Sequence, residues 1–173
     1  MKRIAILGST GSIGQSALSV VDAYADRLQV VGLAAGGNAD RFAEQLARYR
    51  PRVAAMASGA AVDRLGGRVP AGVTLAGTGR EGLVAVASHA DADLVLCASA
   101  GTDGLEAVLA AIEGGKTVAL ANKEVLVMAG GLVMDAARAR GVSILPVDSE
   151  HNALHQCLHG RAASDVSRIV LTA

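Results

Sequence analysis

A run of seven residues, Gly8-Ser9-Thr10-Gly11-Ser12-Ile13-Gly14, constrains this chain more than any other stretch. It follows Arg3-Ile4-Ala5-Ile6-Leu7, a short apolar segment that reads as a buried parallel strand. It precedes Ser16 to Tyr24, where Ala17, Leu18, Val20 and Val21 supply the apolar positions of a helix. Glycine on such a strand-to-helix turn meets three needs: positive φ, close approach of a pyrophosphate to the backbone, and tight packing of helix on strand. The amides that open the helix face the phosphate, and the helix dipole favours its charge. Ser9, Thr10 and Ser12 add hydroxyl donors. The spacing is G-x-x-G-x-x-G rather than G-x-G-x-x-G, so the glycines alone do not separate a dinucleotide seat from a structural turn.

Strands and helices then alternate along the chain. Leu28–Ala35, Val53–Met56, a weaker Val73–Ala76, Asp93–Cys97, Lys116–Leu120 and Val142–Leu145 read as strands. Between them lie helices at Ala39–Tyr49, which stops before Pro51, at Ala60–Leu65, Gly79–His89 and Gly104–Glu113, and from Asn122 towards Arg138. This alternation predicts an α/β fold, a Rossmann-like doubly wound parallel sheet whose ligands bind beyond the carboxyl ends of the strands. A chain of 173 residues with 51% hydrophobic content can bury one substantial core. Sixteen basic and sixteen acidic residues cancel, and there is one Phe, two Tyr and no Trp, which argues against nucleic acid or an anionic membrane as partner. No apolar run approaches the length of a membrane span, and the segment before Gly8 is too short for a secretory signal, so a cytoplasmic location is expected. Cys97 and Cys157 match no zinc or redox spacing and are expected as buried or free thiols.

Four turns carry the candidate chemistry. After the second strand, where an NAD site places an acid for the ribose hydroxyls, Gly36-Gly37-Asn38 offers none. That favours NADP over NAD, with Asn38 and Arg41 within reach of a 2'-phosphate; the alternative is Asn38 as a helix N-cap and Arg41 in solvent. Ala98-Ser99-Ala100-Gly101-Thr102 is a turn of small residues that admits a ligand close to the backbone, or is only a tight turn. In Ala121-Asn122-Lys123-Glu124, Asn122 reads as an N-cap with Lys123 and Glu124 solvated, yet a lysine at a helix start opposes the dipole and points to an anionic or oxygen-rich ligand. In Asp148-Ser149-Glu150, two carboxylates two apart in an extended segment project to one side and suit Mg²⁺ or Mn²⁺. They are an incomplete shell, and a helix cap is the alternative. His151, His155 and His159 recur at helical spacing, which a partly solvated helix face explains as well as a metal site. Arg168–Ala173 reads as a further strand at the end of the chain, so an N-terminal piece of a larger enzyme is expected.

Taken in order, Gly8–Gly14, Ala35-Gly36-Gly37-Asn38, Leu120-Ala121-Asn122-Lys123-Glu124 and Pro146-Val147-Asp148-Ser149-Glu150-His151-Asn152-Ala153 resemble the N-terminal portion of the 1-deoxy-D-xylulose 5-phosphate reductoisomerase family. The resemblance implies an NADPH-dependent, metal-dependent rearrangement and reduction of 1-deoxy-D-xylulose 5-phosphate to 2-C-methyl-D-erythritol 4-phosphate in non-mevalonate isoprenoid biosynthesis. It implies residues 1–146 as the NADPH-binding domain and 147–173 as the truncated start of an α+β catalytic domain, in a parent homodimer. Thr10, Gly11, Ser12 and Ile13 are then expected at the cofactor phosphates, Gly36, Gly37 and Asn38 at the adenosine ribose, and Asn122 and Glu124 on the nicotinamide side. Lys123 and Ser149 are expected to contact substrate oxygens, with Asp148 and Glu150 as metal ligands; Lys123, Ser149 and Glu150 form the catalytic set. A third metal carboxylate, a substrate-covering loop and the residues gripping the substrate phosphate come later in the family, so this fragment alone is expected to be inactive. Some members carry lysine where this chain has Gly37, and Arg41 is the candidate to compensate. Two other readings stay open: a semialdehyde dehydrogenase-like enzyme with Cys97 or Cys157 as nucleophile, and a non-enzymatic NADPH-sensing domain.

Overall fold

Alternation within the first strand decides how the layers form. In a computed structural model that describes residues 1–170, β1 (Lys2–Leu7) sends Ala5 and Leu7 to one face of a sheet and Ile6 to the other, all three fully buried. The remaining strands are β2 (Leu28–Ala35), β3 (Val53–Met56), β4 (Thr74–Thr78), β5 (Leu94–Cys97), β6 (Thr117–Leu120) and β7 (Ile144–Pro146). They form one seven-stranded sheet in the order β4-β3-β2-β1-β5-β6-β7, with every pairing parallel. The chain builds outward from β1 to β4, then returns to the other side of β1 with β5. That reversal lies between β1 and β5, the place where a doubly wound sheet opens a crevice at its carboxyl edge.

Two apolar layers cover the sheet. On one face, Leu18 and Val21 of α1 (Ser12–Ala23), Phe42 and Leu46 of α2 (Ala39–Tyr49) and Leu65 of α3 (Gly59–Leu65) pack on Ile6, Leu33 and Met56. Ala39, Phe42, Ala43 and Leu46 fall on a single stripe of α2, the spacing of a helix with one buried side. On the other face, α4 (Gly79–Ser88), α5 (Gly104–Glu113) and α6 (Glu124–Arg140) cover Leu7, Val95 and Val118. α6 is kinked at Ala129, whose φ of −144° breaks the helix just before Gly130-Gly131. Its exposed side carries Val127 and Leu132. α7 (Ser149–Leu158) follows β7 and buries no residue.

The α/β, doubly wound parallel sheet expected from the sequence is what forms. Four local expectations are corrected. α1 begins at Ser12 rather than Ser16, because Gly11 takes an extended conformation as its N-cap and the loop residues Ser12 to Gly14 already belong to the first turn. The expected strand from Arg168 is not formed over residues 168–170, which have no sheet neighbour to supply a hydrogen-bonded ladder; residues 171–173 lie outside the described part. Asp148 and Glu150 do not share an extended segment: Asp148 is extended but caps α7, and Glu150 is in the helix's first turn, so the two-residue alternation of a strand does not apply. Asn122 is not an N-cap either, since Lys123 holds that position for α6.

Candidate functional site

The glycine loop is held in place from both sides by backbone. The amides of Gly8 and Ser9 both donate to the Ala34 carbonyl at the end of β2, at 2.8 and 2.9 Å, and Gly11 N donates to Gly8 O at 3.1 Å. Gly8 has φ +88°, and a Cβ there would lie 2.4 Å from the Ala98 carbonyl oxygen, so the loop after β1 touches the loop after β5 directly. A Cβ on Gly14 would lie 2.3 Å from Gly8 O, which brings the first turn of α1 down onto the loop backbone. Among the described residues no side chain caps α1, and Gly11, Ser12 and Ile13 are exposed, so the opening amides of this helix face outward.

Ser9 departs from expectation. It is fully buried, its hydroxyl donates to Gln45 Oε1 at 2.7 Å, and Gln45 Nε2 returns a bond to the Ser9 carbonyl at 2.9 Å. The hydroxyl is spent on fixing the loop to α2 and is not a phosphate donor. Sequence reasoning missed Gln45; the signal was a polar residue on the stripe shared by Phe42 and Leu46.

A cavity of about 400 Å³ opens over the carboxyl ends of β1, β2, β3 and β5, between Gly8, Gly36, Ala57 and Ser99. Gly36 lines it and is exposed, as is the following Gly37, and Asn38 is the N-cap of α2, its side-chain oxygen accepting from Arg41 N at 3.1 Å. The capping alternative for Asn38 is therefore what forms. Arg41 itself borders a groove between α1 and α2 with Gln15 and Arg48, while Arg64 from α3 donates to the Gly37 carbonyl at 3.2 Å.

The loops after β5 and β6 are tied by Asn122. It is 3% exposed, and its Nδ2 donates to the carbonyls of Ser99 and Gly101, both at 2.7 Å. Its Oδ1 is buried without a hydrogen-bond partner among the described residues, an acceptor that folding leaves open. Gly104 allows this closeness: a Cβ there would lie 2.9 Å from Ser99 Oγ and 3.2 Å from Asn122 Nδ2. Cys97, next to Ser99, is fully buried, and burial pushes its thiol up despite the Ser99 hydrogen bonds. That is the reverse of an activated thiolate, and it removes Cys97 as a nucleophile.

The turns after β6 and β7 come together. Lys123 Nζ lies 4.0 Å from Glu150 Oε2, with both side chains about half exposed. Ser149 and Glu124 are exposed beside them in sequence, each opening its own helix. Asp148 Oδ1 accepts from the His151 amide at 3.1 Å and lies 2.7 Å from His151 Nδ1. Burial acts to raise the Asp148 carboxyl, but the two His151 contacts and the charges of His151 and Lys123 outweigh it and hold it below the usual carboxylate range. The His155 and His159 rings lie 5.7 Å apart and are tilted by 52°, and no group of three metal-ligating side chains forms among the described residues.

Residues 4–130 match the 1-deoxy-D-xylulose 5-phosphate reductoisomerase family, and residues 144–173 match its C-terminal domain. The reductoisomerase of Anaeromyxobacter dehalogenans is 55% identical over 173 residues, all of this chain and 44% of that protein. Among solved structures, the Zymomonas mobilis reductoisomerase in complex with NADPH superposes with a TM-score of 0.83 at 43% identity, over 90% of this chain and 41% of that one. A reductoisomerase in complex with NADPH, fosmidomycin and magnesium gives 0.83 at 35% identity, over 92% and 40% of the two chains. The chain thus spans less than half the length of these relatives, and over that span it belongs to the 1-deoxy-D-xylulose 5-phosphate reductoisomerase family.

Proposed function

We propose that this chain forms the NADPH-binding part, and one wall of the substrate and metal site, of an enzyme that rearranges and reduces 1-deoxy-D-xylulose 5-phosphate to 2-C-methyl-D-erythritol 4-phosphate. The observation that carries the reading is the meeting of three elements at one sheet edge: the Gly8–Gly14 cradle, the unpartnered Asn122 Oδ1 and the Lys123–Glu150 pair. They come from the strand-to-helix turns after β1, β6 and β7, all at carboxyl ends of parallel strands.

In this reading, Thr10, Gly11, Ser12 and Ile13 bind the cofactor pyrophosphate through the open start of α1, where exposed amides and the helix dipole favour an anion. The backbone contacts made possible by Gly8 and Gly14 leave no side chain between the phosphate and those amides. Gly36, Gly37 and Asn38 border the adenosine ribose. Asn122 orients the nicotinamide end, since Oδ1 is an acceptor awaiting a donor, with Glu124 on the same side. NADPH supplies the hydride when bound.

Lys123 offers an ammonium, and Ser149 a hydroxyl, to substrate oxygens. Asp148 and Glu150 are oxygen donors of the type that Mg²⁺ or Mn²⁺ prefers. Such a metal polarises a substrate carbonyl as a Lewis acid. Glu150 is also the counter-charge that holds Lys123 over the site. Residues 1–146 and the segment from Val147 are assigned to separate domains of the parent, a cytoplasmic homodimer.

The test is a titration of the chain with NADPH. Saturable binding that is lost in Gly14→Val supports the reading. Absence of saturable binding, or binding indifferent to Gly14→Val, contradicts it.

A further inference from the structure

The turn after β2, whose Gly36 lines the cavity, is met by a cation that the sequence does not place there. Arg64 sits in the last turn of α3, far from the glycine loop in sequence, and its Nη2 donates to the Gly37 carbonyl at 3.2 Å. A Cβ added to Gly37 would lie 3.5 Å from that same Nη2. The guanidinium therefore lies within ordinary contact distance of a side chain at position 37. A Cβ on Gly36 would meet nothing within 4 Å, so the turn beside it is open.

The charges around Arg64 are already matched. Arg68 pairs with Asp40 at 2.9 Å, and it also donates to the Leu65 and Arg64 carbonyls at 2.8 and 2.7 Å, which fastens the end of α3. Asn38 has committed its side-chain oxygen to the α2 cap. Among the described residues Arg64 forms no ion pair. An arginine with one nitrogen anchored on a carbonyl and its charge unopposed retains donors in a planar fork suited to a phosphate.

Resting on the NADPH reading above, we propose that Arg64 is the specificity-determining residue for the cofactor 2'-phosphate, delivered from α3 in place of a side chain at position 37. The end of β2 carries no carboxylate to hold a free ribose hydroxyl, and Arg64 places positive charge at that same end.

The experiment is a fluorescence titration of the 173-residue chain with NADPH and with NADH, for wild type, Arg64→Gln, and Arg64→Gln combined with Gly37→Lys. Arg64→Gln is expected to weaken NADPH by about 10- to 100-fold while NADH stays within about twofold, since one charge-assisted phosphate contact is lost and nothing else. Gly37→Lys in that background is expected to restore most of the NADPH affinity, because the lysine returns a positive charge to the same end of β2. Equal losses for both dinucleotides, no loss for either, or failure of the lysine to rescue would each overturn the assignment. A wild-type chain that binds neither dinucleotide would defeat the cofactor reading itself, and Arg64 with it.

Discussion

The two edges of the sheet solve opposite problems. At the amino edge, Arg3 donates to both oxygens of Asp93, at 2.7 Å from Nη2 and 3.1 Å from Nε, while its backbone amide binds Asp93 at 2.9 Å. Asp91 lies between Arg3 and Arg52, and the buried Lys116 gives its protons to the carbonyls of His89 and Ala92 at 2.7 and 2.8 Å. Every one of these charged groups has a partner in the protein itself. At the carboxyl edge, by contrast, among the described residues α1 has no side-chain cap and Asn122 Oδ1 has no donor, and glycines at 8, 14 and 104 let backbone and neighbouring loops approach closely. One edge closes the fold and the other leaves hydrogen-bonding capacity unspent. That unspent capacity, more than the glycine spacing, marks where a ligand belongs.

Substitutions that erase the difference should be the most damaging. Gly8→Ala has to place a methyl 2.4 Å from the Ala98 carbonyl at φ +88°, so it is expected to cost about 3 kcal/mol or more and to abolish NADPH binding, read by urea unfolding and titration. Gln45→Leu is the next largest. It strands the buried hydroxyl and carbonyl of Ser9, and an expected loss of about 1–3 kcal/mol should come with weaker NADPH binding, because the loop loses its anchor on α2.

The amino edge should respond to acid and not to cofactor. Hydrogen bonds from the Arg3 side chain and amide hold Asp93 down to about 2 from an ordinary 3.8. A depressed carboxylate contributes stability that is present above its unfolded value and lost as pH falls from about 3.8 towards about 2. Asp93→Asn should therefore flatten the acid limb of a stability-against-pH curve in that window while leaving NADPH affinity unchanged. The smallest stability effect belongs to Glu150→Gln. Its pairing with Lys123 at 4.0 Å is half exposed, and the unfolding midpoint should move by less than about 0.5 kcal/mol, even though Mn²⁺ affinity is expected to fall.

Strand and helix order was legible because each element carries its own periodicity: α2 and α5 form at Ala39–Tyr49 and Gly104–Glu113, the ranges their apolar stripes mark out. Position within the site was legible where backbone chemistry is local, as at Gly8 and Gly14. It was not legible where partners come from other layers. Gln45 reaches Ser9 across 36 residues, Arg64 reaches Gly37 across 27, and Asn122 reaches Ser99 across 23. Sequence reading treated Asn122 and Asp148 alike as helix caps or ligands. Only the packing shows that Asp148 does cap a helix whereas Asn122 is drawn inward to join two loops. The spacing of Asp148 and Glu150 misled for a related reason, since the turn from extended chain to helix falls between them.

On the proposed reading the carboxyl edge alone receives the dinucleotide. An amide-resolved NMR titration of this 17.3 kDa chain with NADPH tests it most directly. Shifts are expected to concentrate at Gly8–Gly14, Gly36–Asn38, Ser99–Thr102 and Asn122, with Arg3, Asp93 and Lys116 unmoved. Shifts centred on the amino edge, or spread evenly over both, would contradict it.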